Sequence, residues 1–232
     1  MKRFYKAFTL TELLVALGVI AVLCAILMPI IFNSLPNQNT LMAKRAFYAV
    51  QAVVSDLIND EACYPDKTAA SDPRIGFDDE CGYANCVKWG GAENTGAITC
   101  DLDVTEKFAT LFYDKLSINV DDGFDFYAVH STGDGIMWWI DMDDSGFNMT
   151  GELSKLAIVV DVNGTAGPNK GDSTYASTMP CKYDDGLECK VESTSSSRDR
   201  FTIQVTTDGG VQIDKADTWA INAVSVNKDI TE

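Results

Sequence analysis

Leu13-Leu14-Val15-Ala16-Leu17-Gly18-Val19-Ile20-Ala21-Val22-Leu23-Cys24-Ala25-Ile26-Leu27-Met28-Pro29-Ile30-Ile31-Phe32 contains no charged and no strongly polar side chain. At about 1.5 Å rise per residue the run makes a helix of about 30 Å, the hydrocarbon thickness of a bilayer, so it reads as a membrane-spanning segment. Lys2, Arg3 and Lys6 stand in front of it. Positive charge on that side holds the N-terminus in the cytoplasm and sends everything after Phe32 outward. The chain has 232 residues, enough for one ordinary domain beyond the span. Its 34 acidic against 18 basic side chains give a formal net charge of -16. That balance argues against nucleic acid as a partner, because phosphate contacts need clustered Lys and Arg. With 46% hydrophobic and 22% charged residues, the chain can bury a core and is not a disordered acidic tail.

Several export signals contain an apolar run, and the details separate them. A secretory signal peptide has a shorter apolar region followed by a small-x-small cleavage site, and Asn33-Ser34-Leu35-Pro36 offers none. Cys24 follows Val22-Leu23 and lacks the small residue that lipid modification of a cysteine needs. A plain signal anchor leaves Glu12 unexplained. A carboxylate at the edge of the bilayer interior costs on the order of 2 to 3 kcal/mol and calls for a partner or a role.

Lys6-Ala7-Phe8-Thr9-Leu10-Thr11-Glu12-Leu13-Leu14-Val15-Ala16-Leu17 resembles the class III signal of type IV pilins and type II secretion pseudopilins. The resemblance covers roughly the N-terminal quarter of the chain. It implies removal of residues 1–7 by a prepilin peptidase, with cleavage between Ala7 and Phe8 and N-methylation of the new Phe8 amine. Where this chain has Ala7, the family favours glycine. Glu12 then falls at the fifth position of the processed chain, where the family carries a glutamate, and Pro29 falls where it often carries a helix-kinking proline. Thr9-x-x-Glu12 also fits a capping box, in which the two side chains satisfy free backbone amides at a helix start. The family reading gives Glu12 a second role, neutralising the Phe8 amine of a neighbouring subunit and so fixing register in a filament.

After the span, Pro29 and Asn33-Ser34-Leu35-Pro36-Asn37 predict a kink or an interruption. Helical order resumes over Thr40 to Asp60, where Ala43, Ala46, Phe47, Val50, Val53, Val54 and Leu57 form an apolar stripe. Leu102 to Leu116 has helical spacing at Val104, Phe108, Leu111, Phe112 and Leu116. Phe124–His130, Ile136–Asp141, Leu156–Asp161, Phe201–Thr206 and Val211–Asp214 read as strands, and Thr207-Asp208-Gly209-Gly210 as a hairpin turn. Lys190 to Arg200 reads as a flexible surface loop. The expected fold is α+β and pilin-like: a long N-terminal membrane-spanning helix packed against a small, mostly antiparallel β-sheet head. The expected parts are a leader at 1–7, a spanning and filament-core helix at 8–32, its amphipathic continuation at 33–60, and an exported head at 61–232.

Cys63, Cys81, Cys86, Cys100, Cys181 and Cys189 form an even set in the exported part, where disulfides persist. Six cysteines allow about fifteen pairings; the close pairs Cys81 with Cys86 and Cys181 with Cys189 would bracket loops, and Cys63 with Cys100 would then close one such set. Cys81-x4-Cys86 as half of a metal site lacks partner spacing, and with a single His a zinc site would have to be mostly thiolate. Asp141-Met142-Asp143-Asp144-Ser145-Gly146 and Asp161-Val162-Asn163-Gly164 place oxygen ligands at alternate positions before a glycine, as calcium loops do. Asp141, Asp143, Asp161 and Asn163 are therefore calcium candidates, against the plain reading of solvated turns. Some pseudopilins similar to this chain carry calcium in the head. His130 ends an expected strand with no nucleophile pattern around it, so an enzyme is not expected. Adjacent Trp138 and Trp139 must face opposite sides of a strand, one inward and one outward.

Two functional classes result. One is a structural pilin or pseudopilin subunit, held in the bacterial inner membrane and assembled with other pilin subunits by an inner-membrane platform into an extracytoplasmic filament. The other is a membrane-anchored binding module or minor tip pilin whose head engages a ligand.

Overall fold

The computed structural model describes residues 11, 13–21, 23, 38–60, 63–64, 104–118, 124–142, 145–147, 155–182, 186 and 188–225. The chain divides into two compact units, Met1–Asn37 and Gln38–Glu232. In the first, residues 13–21 are helical with exposed side chains. Among the described residues no helix is long and apolar enough to cross a membrane. The segment expected to span, Leu13 to Phe32, extends beyond the described residues.

The second unit begins with α1, Gln38–Ile58. Its sequence has no Gly or Pro and places Ala43, Ala46, Val50, Val53, Val54 and Leu57 on one buried face, with Phe47 partly buried beside them. This is the stripe expected from the sequence. The helix ends where Asn59 Nδ2 donates to the Ser55 carbonyl at 2.7 Å. α2, Val104–Lys115, supplies Phe108, Leu111, Phe112 and Tyr113 to the same core.

Five strands follow: β1 (His130–Ser131), β2 (Met137–Ile140), β3 (Lys155–Asp161), β4 (Arg200–Thr206) and β5 (Val211–Ile213). They pair in chain order and antiparallel throughout. Among the described residues two short helices join them, α3 (Thr174–Thr178) before β4 and α4 (Thr218–Ser225) after β5. The β4–β5 turn is the expected hairpin. Gly209 takes φ 82° there, and a Cβ on it would meet Ile58 Cδ1 at 2.5 Å.

The alternation of strand side chains makes two cores. Trp138, Ile140, Leu156, Ile158, Val160, Phe201, Ile203 and Val205 face α1, α2 and α4. Met137, Trp139 and Val159 face the other way, against Val129, Ala176 and Met179. The two tryptophans do face opposite sides, but neither is outward: Trp139 is only 8% exposed, because α3 and its flanks cover it. Its Nε1 donates to the Tyr127 carbonyl at 3.2 Å.

The stretch expected as a strand from Phe124 pairs only at its end. Asp125 accepts the Tyr127 amide on Oδ1 and the Ala128 amide on its carbonyl, so the chain turns there. Leu57 is fully buried where α1 meets the sheet. Leu57→Ala is expected to cost about 2 to 5 kcal/mol, read from the urea midpoint of the full chain by tryptophan fluorescence.

Candidate functional site

Two regions carry the chemistry, and they lie in different units. Ala7, Phe8, Glu12 and Pro29 belong to the N-terminal unit and fall outside the described residues, as do Cys81, Cys86, Cys100 and Asp143. The head contains a polar centre that the sequence reading did not find. It is built on the register of β3 and β4, which sets Asp161 directly opposite Arg200.

Both side chains lie on the face of the sheet away from α1, and both are buried, Asp161 fully and Arg200 to 1% exposure. Arg200 Nε donates to Asp161 Oδ2 at 2.7 Å. Nη1 donates to the Met179 carbonyl at 3.0 Å, at the end of α3. Nη2 lies 3.1 Å from Cys189 Sγ and 3.4 Å from Cys181 Sγ. These two cysteines are joined in a disulfide.

Two further buried carboxylates hold the long connection from β3 to β4. Asp199 accepts the Asn169 amide at 2.8 Å and the Lys170 amide at 2.7 Å. Asp217, just before α4, accepts the Asp172 and Ser173 amides on Oδ1 and the Thr202 amide on Oδ2. Thr202 lies beyond the residues that β5 pairs, so its amide takes a carboxylate in place of a strand. Burial holds the Asp217 carboxyl above the usual carboxylate range, against the lowering effect of these hydrogen bonds.

Residues 2–28 match the prokaryotic N-terminal methylation motif, the signature of prepilin-type cleavage in type IV pilins and pseudopilins. The chain carries a prepilin-type N-terminus. No curated protein and no solved structure matches the chain. The prepilin-type motif includes Ala7, Phe8 and Glu12, and the family that bears it is structural rather than enzymatic.

Of the expected disulfides, Cys181 with Cys189 is present, and Cys63 is disulfide-bonded. The calcium candidates separate. Asp141 follows β2 with its amide on the Ala157 carbonyl, whereas Asp161 pairs with Met137 at the other end of that ladder. The two positions on β3 are four residues apart, about 13 Å at about 3.3 Å per residue, so the two loops stand as separate candidates. The Asp161 carboxylate is committed to a guanidinium, which a cation would have to displace. Asn163 turns its amide to Asp161 Oδ1 at 3.3 Å and its Nδ2 to the Gly167 carbonyl. Among the described residues no group of three or more His, Cys, Asp or Glu side chains is placed to hold a metal.

Lys190 to Arg200 ends in structure and not in a surface loop, since Asp199 and Arg200 are buried and Arg200 opens β4. His130 is a core residue. Its ring stacks on Phe124 at 4.2 Å, meets Tyr113 edge-on at 5.0 Å, and its Nε2 lies 2.8 Å from the Asp125 carbonyl. The sequence held one signal for the Asp161–Arg200 pair: opposite charges at the ends of two apolar runs, where antiparallel pairing brings them together.

Burial pushes the Asp161 carboxyl up to about 7, against the lowering effect of Arg200. A carboxyl raised in the folded state binds its proton more tightly there than in the unfolded chain. Its contribution to stability is therefore complete below the ordinary carboxylate range and is lost as pH rises toward 7. The thermal midpoint of the head is expected to fall by a few degrees between pH 5 and pH 7.5, and Asp161→Asn to flatten that slope, as scanning calorimetry can check.

Proposed function

We propose that the chain is a pilin or pseudopilin: a structural subunit cut by prepilin peptidase and assembled into a type IV pilus or a type II secretion pseudopilus. The observation that carries this reading is the methylation motif at residues 2–28. Cleavage falls between Ala7 and Phe8 and frees the Phe8 amine for methylation. Residues 8–32 anchor the subunit in the bacterial inner membrane with the leader in the cytoplasm, and residues 61–232 form the exported head. The disulfides at Cys63 and between Cys181 and Cys189 support export, because such bonds persist outside the cytoplasm. The helix Gln38–Ile58 supports an amphipathic continuation of the anchor beneath the head.

Glu12 carries the assembly chemistry. A carboxylate in apolar surroundings needs a counter-charge, and the processed chain provides one at the Phe8 amine of a neighbour. Attraction between unit charges strengthens as the dielectric falls, so the pair selects one axial register as subunits leave the bilayer. The partners are other pilin subunits, the prepilin peptidase and an inner-membrane assembly platform. The excess of acidic side chains disfavours direct contact with nucleic acid.

Mass spectrometry of the N-terminal peptide from native membranes should give a chain that begins at N-methylated Phe8, and an intact Met1 start would overturn the reading. Glu12→Gln is expected to leave the membrane level unchanged while the subunit drops out of sheared filaments. Equal incorporation of that variant would refute the register role.

A further inference from the structure

The Arg200 guanidinium is satisfied unequally along its edges. Nε has a carboxylate and Nη1 a carbonyl, but Nη2 faces two disulfide sulfurs, at 3.1 Å on Cys189 and 3.4 Å on Cys181. Sulfur in a closed disulfide is a weak acceptor. A thiolate in the same place is an anion beside a cation that does not deprotonate in proteins. The cation beside the sulfurs thus makes the opened bond easier to reach than it would be without it. Access is asymmetric. Both cysteines are half-buried, but Cys189 packs against the second core cluster, while Cys181 leads into a finger whose Lys182, Gly186 and Glu188 are exposed.

We infer that Cys181–Cys189 is a thiol–disulfide exchange site that takes a dithiol reductant, with Arg200 holding the leaving sulfur. One thiolate of the dithiol attacks Cys181 Sγ and forms a mixed disulfide. The Cys181–Cys189 bond breaks, and its electron pair leaves on Cys189 Sγ, next to Nη2. The second sulfur of the dithiol, after giving up its proton, attacks its partner in the mixed disulfide and closes the reductant to a disulfide. Cys181 leaves as a thiolate and takes up one proton. The dithiol loses two electrons and two protons; the protein gains two electrons and ends with a thiol at Cys181 and a thiolate at Cys189, and one proton goes to solvent.

Opening the bond loosens the finger without dismantling the sheet. Arg200 keeps Asp161 and Met179, and the finger keeps the Cys189 amide on the Cys181 carbonyl and the bridge between Lys182 and Glu188. Among the described residues the charged groups around the guanidinium are Asp161 on its Nε edge and Asp199, the residue before it. Arg200 is a positioning residue for the sulfur chemistry.

The test equilibrates the full chain, solubilised in detergent, with mixtures of reduced and oxidised dithiothreitol at pH 7. Free thiols are trapped with iodoacetamide, and the peptides bearing Cys181 and Cys189 are quantified apart from Cys63 by mass spectrometry. The comparison is the double variant Asp161→Asn with Arg200→Met, which removes the cation without leaving an unpaired buried charge. The wild-type pair is expected to be at least about tenfold easier to reduce than the variant pair, which is about 30 mV for a two-electron couple. A difference clearly smaller than about tenfold overturns the inference. A second readout needs no variant. In the reduced wild-type chain, alkylation of Cys189 should reach half its maximal rate at a pH below the free-thiol value of about 8.5 and below that of Cys181. Titration of Cys189 at or above that value overturns the inference as well.

Discussion

A guanidinium deprived of water is the constraint on which the head is organised. Removing such a group from solvent costs several kcal/mol unless its donors are met, and no single element here meets them all. β3 supplies Asp161, the end of α3 supplies the Met179 carbonyl, and the disulfide fills the remaining edge. Because Arg200 begins β4, satisfying it pulls three separate pieces of chain onto one corner of the sheet. Asp199 and Asp217 extend the same logic to backbone amides. The segment between β3 and β4 has little regular structure, so its amides must find acceptors elsewhere, and buried carboxylates provide them. Part of the chain's large acidic content is thus spent inside the fold.

What the sequence made legible was what depends on period. The stripe along α1 appears as read, because Ala43 to Leu57 repeat at three and four residues without interruption. β3, β4 and the hairpin to β5 also follow their β-branched runs and the Asp208-Gly209 turn. α3 and α4 were missed. α3 is a single turn whose start rests on Ser173 accepting the Ala176 amide, and α4 opens with Thr218 and Trp219, residues that read equally well as strand. The segment from Phe124 failed as a strand for the opposite reason: its aromatic rings are there for stacking on His130, while Asp125 turns the backbone.

The functional reading divides along the same line. Processing is a short linear signal, a charged leader, an aromatic residue and a carboxylate at fixed spacing, and it can be read without any fold. The Arg200 centre depends on which strand lies beside which. Four of its contributors, Asp161, Met179, Cys189 and Arg200, are dispersed along 40 residues of sequence, from 161 to 200. The β3–β4 register sets Asp161 against Arg200, and the long connection between the strands returns Met179 and Cys189 to them. Spacing alone offered Cys181 with Cys189 as a pair, but nothing in it pointed to the cation that touches both sulfurs.

The sheet of the described residues tapers at both margins, with two residues in β1 and three in β5. A long free margin is a template on which another chain can add a strand, and abbreviated margins deny that template. Copies of this head crowded side by side would therefore meet through side-chain surfaces, where sequence sets the geometry, and not through indiscriminate backbone pairing. Contacts of that kind can be released and re-formed, whereas continuous cross-strand ladders tend toward irreversible aggregates.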